Sequence, residues 1–137
     1  MKNKEMHKNL ESAMTFRLEL FVDSLSASID FYRRILGFKI GKQQSDGYTL
    51  MTHGDVNLAL NLRANLPDDD PVQASAGERF GRGVEIVLDV NDIEAMYDQV
   101  LSKNWPLSGE LQRQPWGSTD FRILDPDGYY WLISSRG

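Results

Sequence analysis

Few side chains in this sequence could take part in acid–base chemistry. Glu19 and Glu85 lie on two strand-like stretches, and a carboxylate removed from water there could act as a general base. Neither histidine is placed near a serine by the sequence pattern, because His7 lies in a polar N-terminal tail and His53 in a turn. The chain has no cysteine, which excludes disulfides, thiolate nucleophiles and cysteine-bound metal ions. The pattern names no nucleophile–base pair and favours ligand binding over catalysis.

Aromatic and polar side chains on shared strand faces and turns are the candidates for ligand binding. Three aromatic residues would stack on a flat or apolar ligand, and five polar residues would supply its hydrogen bonds and charges. The aromatic set is Phe21, Trp116 and Tyr130, and the polar set is Arg17, Glu19, Asn61, Glu85 and Arg122. Trp116 falls in a predicted turn, where exposing an indole is costly unless the ring contacts something. Core packing explains Phe21 and Tyr130 equally well.

The stretch 16–40 predicts the elements that position the first of these residues. Alternation of apolar side chains over 16–22 predicts a strand with two unlike faces. Apolar residues at helical spacing over 25–36 predict a helix, with Ser24 as its N-cap and Gly37 at its C-terminal end. Three further strands are predicted over 39–44, 48–52 and 56–62.

A second copy of this pattern lies further along the chain. At one constant offset, Val22 matches Val90, Leu25 matches Ile93, and Asp30 matches Asp98. A strand over 84–90 leads into a helix that ends near Asn104, and strands over 110–115, 119–124 and 129–134 follow. The last two are joined by Asp-Pro-Asp-Gly at 125–128, which suits a tight turn. The prediction is a single domain over 15–137 with modules at 15–63 and 83–135, a linker at 64–82, and a tail at 1–14.

The fold class follows from the faces of the predicted strands. Each β-α-β-β-β module has one aliphatic strand face, which must meet its helix, and one mixed face. The sequence therefore predicts an α+β fold of paired modules related by a pseudo-twofold axis, with mixed sheets curled into a cleft. A solvated outer sheet face is the alternative. The segment 64–82 is either a plain linker or a mobile flap over a site.

Composition and charge exclude several classes of protein. The formal net charge is −5, which argues against a nucleic-acid-binding surface because such surfaces carry a basic stripe. No run is long and apolar enough to cross a bilayer, so no membrane partner is expected. The N-terminal lysines precede no apolar stretch, unlike a secretory signal, and a cytoplasmic location is the default expectation.

Three segments together resemble the vicinal oxygen chelate superfamily, which includes glyoxalases, extradiol dioxygenases, and fosfomycin- and bleomycin-resistance proteins. These segments are SIDFYRRILGFKIG, VLDVNDIEAMYDQV and DFRILDPDGYYWLI, each placed after or within a predicted strand. The resemblance covers 16–134 and implies the same paired β-α-β-β-β modules. It is less informative about activity, because one fold can host many chemistries.

The resemblance also implies where metal ligands would lie. Metal enzymes of the family place one ligand, usually His, Gln or Glu, in each of four strands. The corresponding positions here are Arg17, Ala59, Glu85 and Leu132. Only Glu85 has a side chain that could bind a metal ion. The expectation is a metal-free member without cofactors, in which Arg17 and Glu85 form an ion pair where the ion would have been.

The leading functional expectation is a metal-independent binding protein for an antibiotic-like or aromatic small molecule, similar to bleomycin-resistance proteins. One alternative is a metal-dependent lyase or oxidoreductase of the glyoxalase or dioxygenase kind, with unexpected ligands. Another is a metal-free isomerase that uses Glu85 as its base. The resemblance further implies a homodimer, with the cleft completed at the junction between two copies.

Overall fold

The first half of the chain forms one β-α-β-β-β module in the computed structural model, which describes residues 14–135. Its elements are β1 (Leu18–Val22), α1 (Leu25–Asp30) with a π-helical turn (Phe31–Ile35), β2 (Lys39–Gln43), β3 (Thr49–His53) and β4 (Val56–Leu62). The Ser24 hydroxyl accepts a hydrogen bond from the Ala27 backbone N–H at 3.2 Å, as an N-cap should. Gly37 has φ +79°, the left-handed conformation predicted for the helix end. The predicted tail lies outside the described residues except for Met14.

The second half repeats this order. Its elements are β5 (Ile86–Val90), α2 (Ile93–Ser102), β6 (Gly109–Arg113), β7 (Thr119–Leu124) and β8 (Tyr130–Ser135). The predicted α+β class with two β-α-β-β-β modules is therefore confirmed. Several strand ends differ from the prediction by one or two residues. The difference that bears on the site is that β5 begins at Ile86, which leaves Glu85 just before the strand. A 3-10 turn, Arg63–Asn65, follows β4 and leads into the linker.

The two modules have the same sheet topology. The strand order is β1-β4-β3-β2 in the first sheet and β5-β8-β7-β6 in the second. In each sheet the first and last strands of the module pair in parallel, with Leu20 beside Leu60 and Leu88 beside Ile133. The remaining pairs are antiparallel, so each sheet is mixed and neither closes into a barrel.

The aliphatic faces of both sheets and the two helices share one hydrophobic core. Phe31 and Tyr32, at the start of the π-helical turn, are both fully buried there. Phe31 lies 4.8 Å from the Trp105 ring, and Tyr32 lies 5.6 Å from Trp131. Burial of each such side chain contributes roughly 1.5–3 kcal/mol. The π-helical turn of the first module therefore packs against the second module, and each mixed face lies on the side of its sheet away from the core.

The π-helical turn was not predicted, because apolar spacing over 25–36 suits an ordinary α-helix. The Leu36 N–H reaches back five residues to the Phe31 carbonyl at 3.4 Å, and the Phe38 N–H donates to the Tyr32 carbonyl at 2.8 Å. Such a widened turn changes which side chains face inward, and here two consecutive aromatic residues are buried. Within residues 14–135, no helix has the length and apolar character needed to cross a membrane.

Candidate functional site

The first group of predicted site residues lies on the mixed face of the first sheet. Glu19 and Phe21 alternate along β1, and Phe21 lies beside Asn61 of β4 in the register. The Asn61 amide donates a hydrogen bond to the Glu19 carboxylate at 3.2 Å. The Arg17 guanidinium lies 3.9 Å from the same carboxylate, from a position just before the strand. The four side chains thus form one partly exposed polar patch with an aromatic ring at its end.

The second group lies on the mixed face of the second sheet. Arg122 of β7 and Leu132 of β8 are register partners, and Tyr130 is on the same face. The Arg122 guanidinium lies 3.6 Å from the buried Asp120 carboxylate. Arg79, from the linker, places its guanidinium carbon 5.9 Å from the centre of the Tyr130 ring. The predicted role of Arg122 as a ligand contact therefore competes with its pairing to Asp120.

One predicted contact is not formed among residues 14–135, and the predicted role of Trp116 is not tested by the structure. Arg17 pairs with Glu19, and no ion pair joins Arg17 to Glu85 among residues 14–135, so this predicted pair is wrong. Arg17 and Glu85 each lie just before the first strand of their own module, and Glu19 is a nearer partner for Arg17, two positions along the same chain segment. Trp116 is 73% exposed in the turn between β6 and β7. Its stacking on a ligand together with Phe21 and Tyr130 stays a prediction.

The linker forms the wall of a cavity that the sequence did not locate. We call residues 71–82 the flap and the space beneath it the flap cavity, which has a volume of about 380 Å³. The flap cavity lies at the junction of the modules, between the ends of β1 and β4 and the start of β8. Its walls include Phe21, Arg63, Glu78, Phe80, Arg82 and Tyr129. Of the eight predicted site residues, Phe21 alone reaches it.

Arg63 holds the flap against the first module. Its Nη1 lies 3.3 Å from Asp23 Oδ1, and its Nε donates a hydrogen bond to the Gln73 side-chain oxygen. The guanidinium carbon also lies 4.8 Å from the centre of the Phe80 ring, a cation–π contact. One planar cation thus contacts both ends of the flap and the turn that follows β1. No periodic pattern marks these contacts, although Phe80 is the one aromatic residue in 64–82.

Tyr129 forms another part of the wall of the flap cavity. Its hydroxyl donates a hydrogen bond to the Phe21 carbonyl at 2.8 Å, and its ring lies 5.9 Å from Phe80 at a steep angle. Gly81 has φ +72°, and a Cβ built there would lie 2.5 Å from Tyr129 Cδ1. Burial raises the pKa of Tyr129 to about 12, so the hydroxyl remains a hydrogen-bond donor at neutral pH. The close approach of flap and ring therefore requires a glycine at 81.

A match to a protein-family model establishes which known proteins this chain is related to. The model of the Glyoxalase/Bleomycin resistance protein/Dioxygenase superfamily matches residues 15–133. The chain belongs to this superfamily. The resemblance to the vicinal oxygen chelate superfamily is thereby confirmed.

Three proteins illustrate what this chain is similar to, one by sequence and two by structure. An uncharacterized protein of Mycobacterium bovis is 26% identical over 132 residues, which covers 91% of this chain and 84% of that protein. The crystal structure of TioX from Micromonospora has a TM-score of 0.73 at 17% identity, covering 90% of this chain and 99% of that one. A lactoylglutathione lyase from Agrobacterium tumefaciens has a TM-score of 0.68 at 17% identity, covering 90% and 94%. At these identities the two structures share the superfamily fold with this chain, and the likeness extends no further.

The four positions where superfamily metal enzymes would place ligands do not suit a metal ion here. Arg17 carries a positive charge, and Ala59 is fully buried with only a methyl group. Leu132 has no donor atom, which leaves the Glu85 carboxylate as the single oxygen ligand. Across the described residues, no cluster of three or more His, Cys, Asp or Glu side chains could hold a metal ion. The donor set therefore does not fit the metal chemistry of this superfamily.

The turn at 125–128, part of the superfamily-like segment, joins the two modules. Tyr32 donates a hydrogen bond to the buried Asp125 carboxylate at 2.6 Å, and Trp131 Nε1 donates to the Tyr32 hydroxyl at 3.1 Å. Asp127 accepts from the Asp23 backbone N–H at 3.1 Å. Burial raises the pKa of Asp125 to about 6, against the opposing effect of its hydrogen bonds. The turn thus fixes the end of β8, and with it Tyr129, relative to the first module.

A second cavity, of about 540 Å³, lies between the β3–β4 turn and the start of α2. Phe38, His53, Leu88 and Met96 are among its walls. It contains none of the predicted ligand-binding residues. The centres of the His53 and Phe38 rings lie 5.8 Å apart, and the two ring planes are tilted relative to each other.

Proposed function

We propose that this protein binds an antibiotic-like or aromatic small molecule without using a metal ion. The observation that carries this proposal is the set of side chains at the four metal positions: a guanidinium, a methyl, a carboxylate and an isobutyl group. Aromatic and polar residues lie near one another at the junction of the modules, where a cavity of ordinary ligand size is found. Binding through ring stacking and charge is the chemistry that these groups can provide.

Metal analysis is the first test of this proposal. The purified protein should carry far less than one equivalent of zinc, nickel, manganese or iron. It should also fail to convert a methylglyoxal–glutathione adduct or to cleave a catechol when these ions are added. One tightly held ion per chain, together with metal-dependent turnover of either substrate, would refute metal-independent binding. A metal-free isomerase with Glu85 as base has no supporting observation, since Glu85 is exposed and water would surround its carboxylate.

A ligand screen by fluorescence tests the binding itself. Of the three tryptophans, Trp131 is buried and Trp105 donates its N–H to the Leu124 carbonyl, whereas Trp116 is exposed. Trp116 is not a wall of the flap cavity, so its fluorescence reports only on a ligand that stacks on the predicted aromatic set. Such a ligand should quench Trp116 emission, and Trp116→Ala should remove the quenching, whereas calorimetry detects binding in the flap cavity. Trp105→Phe is the matched control and should leave the quenching in place. Absence of saturable binding across a library of aromatic metabolites and antibiotics would contradict the proposal.

We also propose that the protein is a homodimer in which a second copy covers part of the mixed faces. Val84, Val87 and Trp116 support this, because each is more than half exposed although apolar. Light scattering during size-exclusion chromatography should give twice the 15.6 kDa mass of one chain. A monomer mass at micromolar concentration would contradict the dimer, and Val87→Lys should convert a dimer to a monomer.

A further inference from the structure

The aromatic walls of the flap cavity are arranged around a space that would fit one small ring system. Phe80 packs edge-on against Tyr129, and Phe21 lies at the end of β1 where the Tyr129 hydroxyl is anchored. The volume of about 380 Å³ falls in the range of small-molecule pockets, roughly 300–1,000 Å³. These aromatic side chains come from three separate segments, so the cavity exists only when the flap is docked.

The charged groups of the flap cavity favour one sign of ligand charge. Two arginines, Arg63 and Arg82, and one glutamate, Glu78, are among its lining residues, and Arg82 and Glu78 are also exposed to solvent. Arg63 is already paired with Asp23 and hydrogen-bonded to Gln73. Arg82 forms no ion pair within 4 Å among residues 14–135. A solvent-accessible guanidinium that is not held in an ion pair, beside a cavity with aromatic walls, can recognise a carboxylate, because its planar N–H fork matches the two oxygens.

We propose that the flap cavity binds a small aromatic carboxylate, with its ring among Phe21, Phe80 and Tyr129 and its carboxylate on Arg82. This inference rests on the proposed function and names the ligand class for it. The Arg63 guanidinium lies over the Phe80 ring, and its positive charge adds to the attraction for an anion. Glu78 opposes it from the same wall and keeps the net attraction modest. The flap then acts as part of the binding site and not only as a connection between modules.

Three probes with the same ring and different charge test the ligand class. Calorimetric titrations would use 2-naphthoate, 2-naphthylmethanol and 2-naphthylmethylammonium. The naphthoate should bind roughly tenfold more tightly than the alcohol, as one charge-assisted hydrogen bond provides. The ammonium compound should bind most weakly. Raising the salt concentration should weaken only the naphthoate, because its advantage is electrostatic.

Charge variants on the cavity wall assign the effect to particular residues. Arg82→Gln should lower naphthoate affinity roughly tenfold and leave the alcohol unchanged. Glu78→Gln should raise naphthoate affinity about two- to threefold, since it removes a like charge. Arg113→Gln, on the exposed strand β6, is the control and should change nothing. Circular dichroism and thermal melts of each variant confirm that the fold is retained.

The outcomes separate this inference from the proposed function. If the alcohol or the ammonium probe binds as tightly as naphthoate, the ligand class is wrong, while metal-independent binding stands. If naphthoate binds but Arg82→Gln and Glu78→Gln have no effect, the assignment to the flap cavity is wrong. If no naphthalene probe binds, the inference is refuted. The proposed function falls with it only when the wider library also shows no saturable binding.

Discussion

Replacing Gly81 with alanine tests whether the flap is held against Tyr129 as the structure shows. Gly81 adopts φ +72°, and an added Cβ would lie 2.5 Å from Tyr129 Cδ1 and 2.9 Å from Cε1. Gly83 is a matched control, because it has a similar φ of +81° but nothing within 4 Å of its added Cβ. The two alanine variants therefore share the backbone strain, and they differ in the collision with the ring.

The size of the difference follows from the contacts that Tyr129 would lose. An alanine in the left-handed conformation costs roughly 1–2 kcal/mol at either glycine. At 81 the ring must also move, which breaks its hydrogen bond to the Phe21 carbonyl, worth about 1 kcal/mol. The edge contact with Phe80 would be lost as well, at about 0.5–1.5 kcal/mol. Gly81→Ala should therefore destabilise the protein by about 2 kcal/mol more than Gly83→Ala.

Urea unfolding and limited proteolysis measure the two parts of this effect. With a slope of about 2 kcal/mol per molar urea, the unfolding midpoints of the two variants should differ by roughly 1 M. If the flap detaches without global unfolding, trypsin should cleave after Arg79 and Arg82 faster in Gly81→Ala than in Gly83→Ala. Equal midpoints together with equal cleavage rates would refute the close packing of flap and ring.

Three further predictions concern the junction of the modules and the anchor of the flap. Tyr32→Phe should cost about 2–3 kcal/mol in urea unfolding, because it leaves Asp125 and the Trp131 N–H without their buried partner; a loss below 1 kcal/mol would contradict this. Since burial raises the pKa of Asp125 to about 6, its native state binds the proton more tightly than the unfolded state. The stability that Asp125 gains from binding this proton is fully present below its unfolded-state pKa, near 4, and it is lost as the pH rises through 6. Wild type should therefore gain about 1 kcal/mol more than Asp125→Asn between pH 7 and pH 5, and parallel pH profiles would disprove it. Arg63→Lys should cost about 1 kcal/mol and speed proteolysis of the flap, because an ammonium cannot keep the stacked and hydrogen-bonded geometry; Arg33→Lys, on the exposed side of the first helix, should do neither.

Most of the fold could be predicted because local pattern and local chemistry agree. Strand alternation sets the sheet faces, and the residues at the helix ends set the lengths of the helices. Gly37 at φ +79° adopts the left-handed conformation predicted for the end of the first helix. Asn104, near which the second helix was predicted to end, has φ +56° and follows that helix by two residues. The widened turn at Phe31 and Tyr32 was not predicted, since the same apolar spacing suits an ordinary α-helix and the ring contacts of these residues lie in the second module.

The candidate site could be predicted in parts but not as a whole. Period-two alternation correctly placed Glu19 and Asn61 on one face, and their side chains are hydrogen-bonded. It could not show how the two mixed faces are arranged relative to each other, because that depends on side-chain packing between the modules. The predicted pairing of Arg17 with Glu85 failed for this reason. The flap cavity was missed because its contacts join residues far apart in sequence, through a segment without periodicity.

Tyr129 links the flap cavity to the junction between the modules. Its hydroxyl is bonded to the first module, its ring forms the cavity wall, and its backbone N–H donates to Asp125 at 2.9 Å. A ligand packed on this ring would therefore stabilise the docked flap and the module junction together. Saturating naphthoate should raise the midpoint temperature of thermal unfolding, and the whole protein should unfold in a single transition. Separate transitions, of which only one shifts, would show that the cavity and the junction are independent.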